Sequence, residues 1–135
     1  MKNKRMAIAA TLLLIAAVLP MIAGCNYVTV NTKPYLGMPT YPPTDPASVE
    51  VLRTEPVRPH ERLGEITLEP QGNPSVAEME QKLREAAAKM GANAAVLVAD
   101  QTMRMGAIVT GPWYGRQVSP EYQRFIVAVA IRYLQ

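Results

Sequence analysis

A chain of 135 residues with 49% apolar content is long enough for one packed domain plus ancillary segments, and too short for two domains of ordinary size. Its formal charge of +3 comes from Lys2, Lys4 and Arg5; without them 11 basic residues stand against 11 acidic ones, none of which precedes Cys25. From Cys25 onward the chain is formally neutral and offers no basic stripe, which argues against a nucleic-acid partner.

The first elements belong to a targeting segment. A basic start, an apolar centre from Ala7 to Val18 and a small-residue exit, Ala23-Gly24, are the three parts of a secretory signal peptide over residues 1–24. The uncharged run from Met6 to Tyr27 also approaches the roughly 20 residues of a spanning helix, so a retained anchor is the alternative. Pro20 interrupts that run and no basic stop-transfer cluster follows it, which favours the cleaved signal.

Ile22-Ala23-Gly24-Cys25 resembles the lipobox of bacterial lipoproteins, in which leucine is the commoner first residue. The resemblance implies signal cleavage between Gly24 and Cys25, acylation of the Cys25 sulfur, and acylation of the new amino group. Each buried methylene contributes about 0.8 kcal/mol, so several acyl chains hold firmly where one holds marginally. In the family's sorting pattern an aspartate after the cysteine retains the protein at the inner membrane. Asn26 here implies an outer-membrane lipoprotein facing the periplasm, or a plasma-membrane anchor where the organism has no outer membrane. With the single cysteine so used, structural disulfides are excluded, and the covalent lipid is the only attached group expected.

Residues 25–48 read as the lipidated cysteine and a Pro-rich tether. Prolines at 34, 39, 42, 43 and 46 restrict the backbone to extended geometry, which predicts a semi-rigid spacer with little regular structure, able to hold a domain away from the bilayer. Tyr27, Tyr35 and Tyr41 punctuate it, either as contacts for a partner or as rings lying against the protein's own domain.

Residues 49–135 form the predicted domain, with ten basic and ten acidic side chains. Val49 to Thr54 and Leu63 to Glu69 are short extended candidates. PSVAEMEQKLREAAAKMG then predicts a helix over about 75–90: Ser75 and Glu78 make a capping-box pattern and Gly91 supplies the stop. Val76, Met79, Leu83, Ala86 or Ala87, and Met90 share one face. Glu78 with Lys82 and Glu85 with Lys89 fall four apart on the other. Ala94 to Arg104 and Gln123 to Leu134 read as strands.

In the last strand Ile126, Ala128, Ala130 and Arg132 alternate with Phe125, Val127, Val129, Ile131 and Tyr133. The two alanines let a helix approach, so the helix is placed on their side. The larger face must then be covered by the tether, by the loop Thr110 to Arg116, or by another subunit. The expected fold is α+β and two-layered, one amphipathic helix packed on a small, mostly antiparallel sheet of about four strands in ββαββ order.

Leu63-Gly64-Glu65-Ile66, the helix end AAAKMGANAAVLV and the closing AVAIRY resemble the small YbjQ-like domains, and also RcsF-like domains of envelope lipoproteins. The resemblance implies a two-layer α+β fold. It also implies ring-forming relatives on the YbjQ-like side and envelope sensing through surfaces on the RcsF-like side. RcsF-like domains are stapled by disulfides, which this domain lacks.

Chemistry finds little support. Soft metals need converging thiolates and imidazoles, and with Cys25 spent only His60 remains, so no metal site is expected; Glu61, Glu65 and Glu69 read as a solvated face. A nucleophile needs a base and an orienting group, and no such set is legible around Ser48, Ser119, Asp100 or His60. The chain is therefore read as a non-enzyme.

The loop TGPWYGR carries the only tryptophan, and Trp113, Tyr114 and Arg116 are the candidate partner contacts. The other reading has Trp113 folding back over the open sheet face. The expected function is that of a lipid-anchored envelope protein presenting a non-catalytic domain to a protein partner, or to copies of itself as a homo-oligomer. The alternative is a binding module for a small ligand or metal ion.

Overall fold

The computed structural model describes residues 26–134; the expected signal segment with Gly24, and Cys25, lie outside the described residues. Seven elements follow: β1 (Tyr27–Pro34), a 3-10 turn (Pro46–Ser48), β2 (Glu50–Leu52), β3 (His60–Gln71), α1 (Val76–Lys89), β4 (Ala94–Thr110) and β5 (Gln117–Tyr133). The strands form one sheet in the order β1-β3-β5-β4-β2, antiparallel at every pairing except β2 with β4. The α+β class with one helix is as expected, but the sheet has five strands and is mixed.

The fifth strand corrects the expectation of a tether without regular structure. In YVTVNTKP every proline of the tether lies at or beyond the strand's end, so the β-branched Val28, Thr29, Val30 and Thr32 are free to pair with β3 from Tyr27↔Gln71 to Pro34↔Gly64. Val28 and Val30 turn inward and pack on the core. The remainder of the segment lies along the domain's surface: the Thr44 amide donates to Ala88 O at 2.9 Å, its hydroxyl to Ala92 O at 2.6 Å, and Arg132 stacks over the Tyr41 ring. Tyr41 therefore lies against its own domain, while Tyr27 and Tyr35 are exposed.

Helix α1 forms because Ser75 caps it, the hydroxyl accepting from the Glu78 amide at 3.2 Å, and because Gly91 ends it. Gly91 takes φ +77°; its N–H donates to Ala88 O and that of Ala92 to Ala87 O, the paired bonds of a Schellman stop. The apolar stripe Met79, Leu83, Ala86 and Ala87 packs on Ile66, Leu68, Ile126, Ala128 and Ala130. This is the side of β5 expected from its two alanines. Val76, expected on the buried stripe, is exposed in the first turn. The two expected i,i+4 pairs are replaced: Glu85 accepts from Gln81 Nε2 at 3.0 Å and from Lys82 Nζ at 3.5 Å, the latter an i,i+3 pair.

Gly64 fits where β3, β1 and the helix end converge. A Cβ there would lie 2.6 Å from Lys33 O and 2.8 Å from Pro34 Cα, and would overlap the tip of Met90.

Candidate functional site

The strands run on past the domain. β3 stops pairing with β5 at Leu68↔Ile126 and β2 stops pairing with β4 at Leu52↔Val96, yet β4 and β5 stay paired with each other out to Thr110↔Gln117. Residues 101–122 are all exposed. They form a two-stranded arm whose outer edges are unpaired among the described residues, a form only marginally stable alone in water.

Two bulges, at Val98 and Met105, break the β4 register while β5 stays regular. Because β5 is regular, its even-numbered residues keep the face of Ile126 and Ala128 out to the tip. That face of the arm carries Tyr122, Pro120 and Val118 from β5, opposite Arg104, Ala107 and Val109 from β4. The reverse face is more polar, with Gln117, Ser119, Glu121 and Gln123 opposite Thr110, Ile108, Gly106 and Met103.

At the arm's base Arg124 grips Asp100 with two of its nitrogens, Nε donating to Oδ1 at 2.7 Å and Nη2 to Oδ2 at 2.6 Å. These bonds hold the Asp100 carboxyl below the usual aspartate range and raise the guanidinium further. Asp100 is thus an ion-pair partner. A group whose pKa is lowered by folding stabilises the fold above its unfolded pKa, and that contribution disappears as pH falls through its folded value. The Asp100 carboxyl, followed by NMR, is expected to titrate below ordinary aspartates, and Arg124→Leu to move it back up. An unchanged titration would dissolve the pair. The pair is partly exposed, so its effect on stability is small.

Trp113, Tyr114 and Arg116 sit at the arm's tip, made by Gly111 and a turn in which the Gly115 amide donates to Pro112 O at 2.9 Å. Trp113 is 82% exposed and meets Tyr114 edge to face, ring centroids 5.7 Å apart. The reading in which Trp113 folds back over the sheet is therefore corrected: the arm carries the ring away from the domain. Trp113→Ala is expected to leave the melting temperature nearly unchanged, within about 0.5 kcal/mol of wild type. A large drop would assign the ring to packing.

The sheet face opposite α1 is bare over much of its area. Phe125, Val127 and Val129 are only half-buried and Val98 is 63% exposed. Ala94, Val96 and Ile131 at its far end are buried, beside Leu52 and Tyr133. Neither the loop Thr110 to Arg116 nor the tether covers this face.

A cleft of about 570 Å³ lies at that far end, lined by Tyr41, Glu50, Arg58, Asn93, Arg132 and Tyr133 among others. Arg58 stacks on the Tyr133 ring at 4.6 Å and Arg132 on the Tyr41 ring at 4.4 Å. Arg132 also donates to Gly91 O at 2.6 Å; neither guanidinium has a carboxylate partner among the described residues. The Tyr41 hydroxyl donates to Glu61 at 2.6 Å, a bond that raises its pKa; Tyr133 is raised by burial first and then by Glu50.

His60 opens β3, with Nε2 3.1 Å from Glu55 Oε1 and Nδ1 2.7 Å from Arg58 O. Among the described residues no three histidine, cysteine, aspartate or glutamate side chains converge as a metal site, and no helix is long and apolar enough to cross a membrane.

Sequence reasoning missed the arm as a unit because it ended the β4 strand at Arg104 and began β5 at Gln123. The β-branched run Ile108-Val109-Thr110 before the Gly-Pro turn, with Val118 after it, was the available signal. The cleft was illegible, since Tyr41, Arg58 and Arg132 are brought together only by the fold. Comparison with known proteins finds no matching family model and no matching curated protein. A crystal structure of the Francisella virulence factor FvfA matches 77% of this chain and 97% of that one, with 13% identity and a TM-score of 0.46, a likeness too slight to carry family or function.

Proposed function

We propose that this chain is a lipid-anchored protein of the bacterial cell envelope that acts by surface contact and not by catalysis. Cys25 is its anchor, on the periplasmic face of an outer membrane where there is one. Its α+β domain presents a docking face to an envelope protein or to a second copy of itself. The observation that supports this reading is the bare sheet face: Val98, Phe125, Val127 and Val129 form an apolar surface with no second layer, and such surfaces in small domains mark contacts. A photoreactive residue placed at Val98 or Val127 in intact cells should give one discrete adduct, identified by mass spectrometry. Absence of adducts from both positions, with the anchored protein present, would sink the reading.

A second reading is favoured by the cleft. Two arginines stacked on tyrosines, without carboxylate partners, suit a small ligand carrying phosphate or carboxylate. A panel of such metabolites, with divalent metals alongside, is expected to raise the melting temperature if this reading holds, and Arg58→Ala to remove the effect.

A further inference from the structure

The described chain begins at Asn26, one residue after the cysteine expected to carry lipid, and Asn26 is not on a loose tether. Its side chain grips the turn between β3 and α1, Oδ1 accepting from the Asn73 amide at 3.1 Å and Nδ2 donating to Asn73 O at 3.5 Å. Tyr27 is already in the sheet, opposite Gln71. Asn26 thus fixes this corner of the domain, and in the anchor reading a lipid on the residue before it in sequence brings the corner to the bilayer.

The arm leaves the domain at the same end. Gln123, where β5 emerges from the sheet, donates from Nε2 to Pro70 O at 3.2 Å, one residue from the partner of Tyr27. From there to Gln117 the arm runs on for about 20 Å in the direction away from the helix C-terminus and the cleft. The Asn26 corner and the arm thus lie at the same end of the sheet.

The chemistry of the arm suits an interface. Trp113 and Tyr114 at the tip are the amphipathic rings that settle at headgroup depth. Tyr122, Pro120, Val118, Ala107 and Val109 share one face. Arg104 and Arg116 have no ion-pair partner among the described residues, and Glu121 is the arm's one acid, an excess of positive charge that favours anionic headgroups. A two-stranded ribbon with open edges cannot cross hydrocarbon, where its free N–H and C=O groups would go unsatisfied; among headgroups, water satisfies them.

We infer that the β4–β5 arm is a bilayer-docking element, lying obliquely in the headgroup layer beside the Cys25 anchor with Trp113 and Tyr114 at its deepest point. The inference rests on the anchor reading. It makes the lipid surface, and not a protein, what Trp113, Tyr114 and Arg116 meet, and leaves the bare sheet face turned to the periplasm.

Trp113 is the only tryptophan, so its fluorescence reports the tip without any substitution. The lipidated mature protein is reconstituted into vesicles of phosphatidylethanolamine and phosphatidylglycerol, with bromine placed either high on the acyl chains or at their ends. The emission should shift to the blue relative to detergent-free solution and be quenched about twofold by high bromine, less by deep bromine. Flotation and the mass of the N-terminal peptide report the anchor separately. Protein that floats and carries lipid but keeps a water-exposed, unquenched Trp113 overturns the docking inference and gives the arm to a protein partner. Protein that carries no lipid and does not float overturns the anchor reading, and the inference with it.

Discussion

Gly91→Ala is expected to cost about 2 to 4 kcal/mol of stability, combining the left-handed backbone penalty with an overpacking term. Gly91 sits at φ +77°, where L side chains are strained whatever the space around them. The space is also filled: an added Cβ would lie 2.5 Å from Tyr41 Cβ and 2.8 Å from Pro42 O. One of these neighbours is backbone, so relief requires the segment around Tyr41 to lift off the helix end. Lifting it disturbs the Thr44 bonds to Ala88 and Ala92 and the stack of Arg132 on Tyr41. Chemical denaturation of the mature chain measures the loss. A loss of only about 1 kcal/mol, the left-handed backbone penalty alone, would mean that residues 41–44 are not seated on the domain.

Cys25→Ser is expected to abolish the lipid-bearing mature form, because serine offers no thiol for the acyl transfer that precedes cleavage in lipoproteins. Several acyl chains hold stably where one holds with an affinity near 10⁴ M⁻¹, so on the scale of about 0.8 kcal/mol per methylene the loss is of many orders of magnitude. Intact mass and detergent-phase partition of the wild type and variant check this. A Cys25→Ser protein still cut after Gly24 and still membrane-bound would refute the anchor. It would also remove the basis for orienting the domain by Asn26.

The helix was the most legible element, because all its signals are local. Ser75 caps, Gly91 stops, and Met79, Leu83 and Ala87 recur at helical spacing, so neighbours in sequence are neighbours in space. The alanines of β5 told which face the helix covers for the same reason: alternation along one strand fixes its two faces, and only small side chains admit a helix so closely. β1 was misread because proline density from 34 onward coloured the whole segment. The strand ends at its first proline, and what decides its existence is a partner 30 to 44 residues away in β3. Salt pairs on α1 were misassigned for a related reason, since several acceptors lie within reach of each lysine and packing chooses among them.

The site divides along the same line. Sequence alone determined the uncharged N-terminal run with its lipobox resemblance, the absence of any second cysteine, the neutral balance of the remaining chain and the residues at the TGPWYGR tip, because each is a property of contiguous or countable residues. Only the tertiary structure decided that β4 and β5 outrun their neighbours, that Arg58 and Arg132 share a cleft with Tyr41 and Tyr133, and that Asn26 and the arm leave the sheet at one end. Those facts depend on strand register and on hydrogen bonds between residues 40 or more positions apart, which no local pattern encodes.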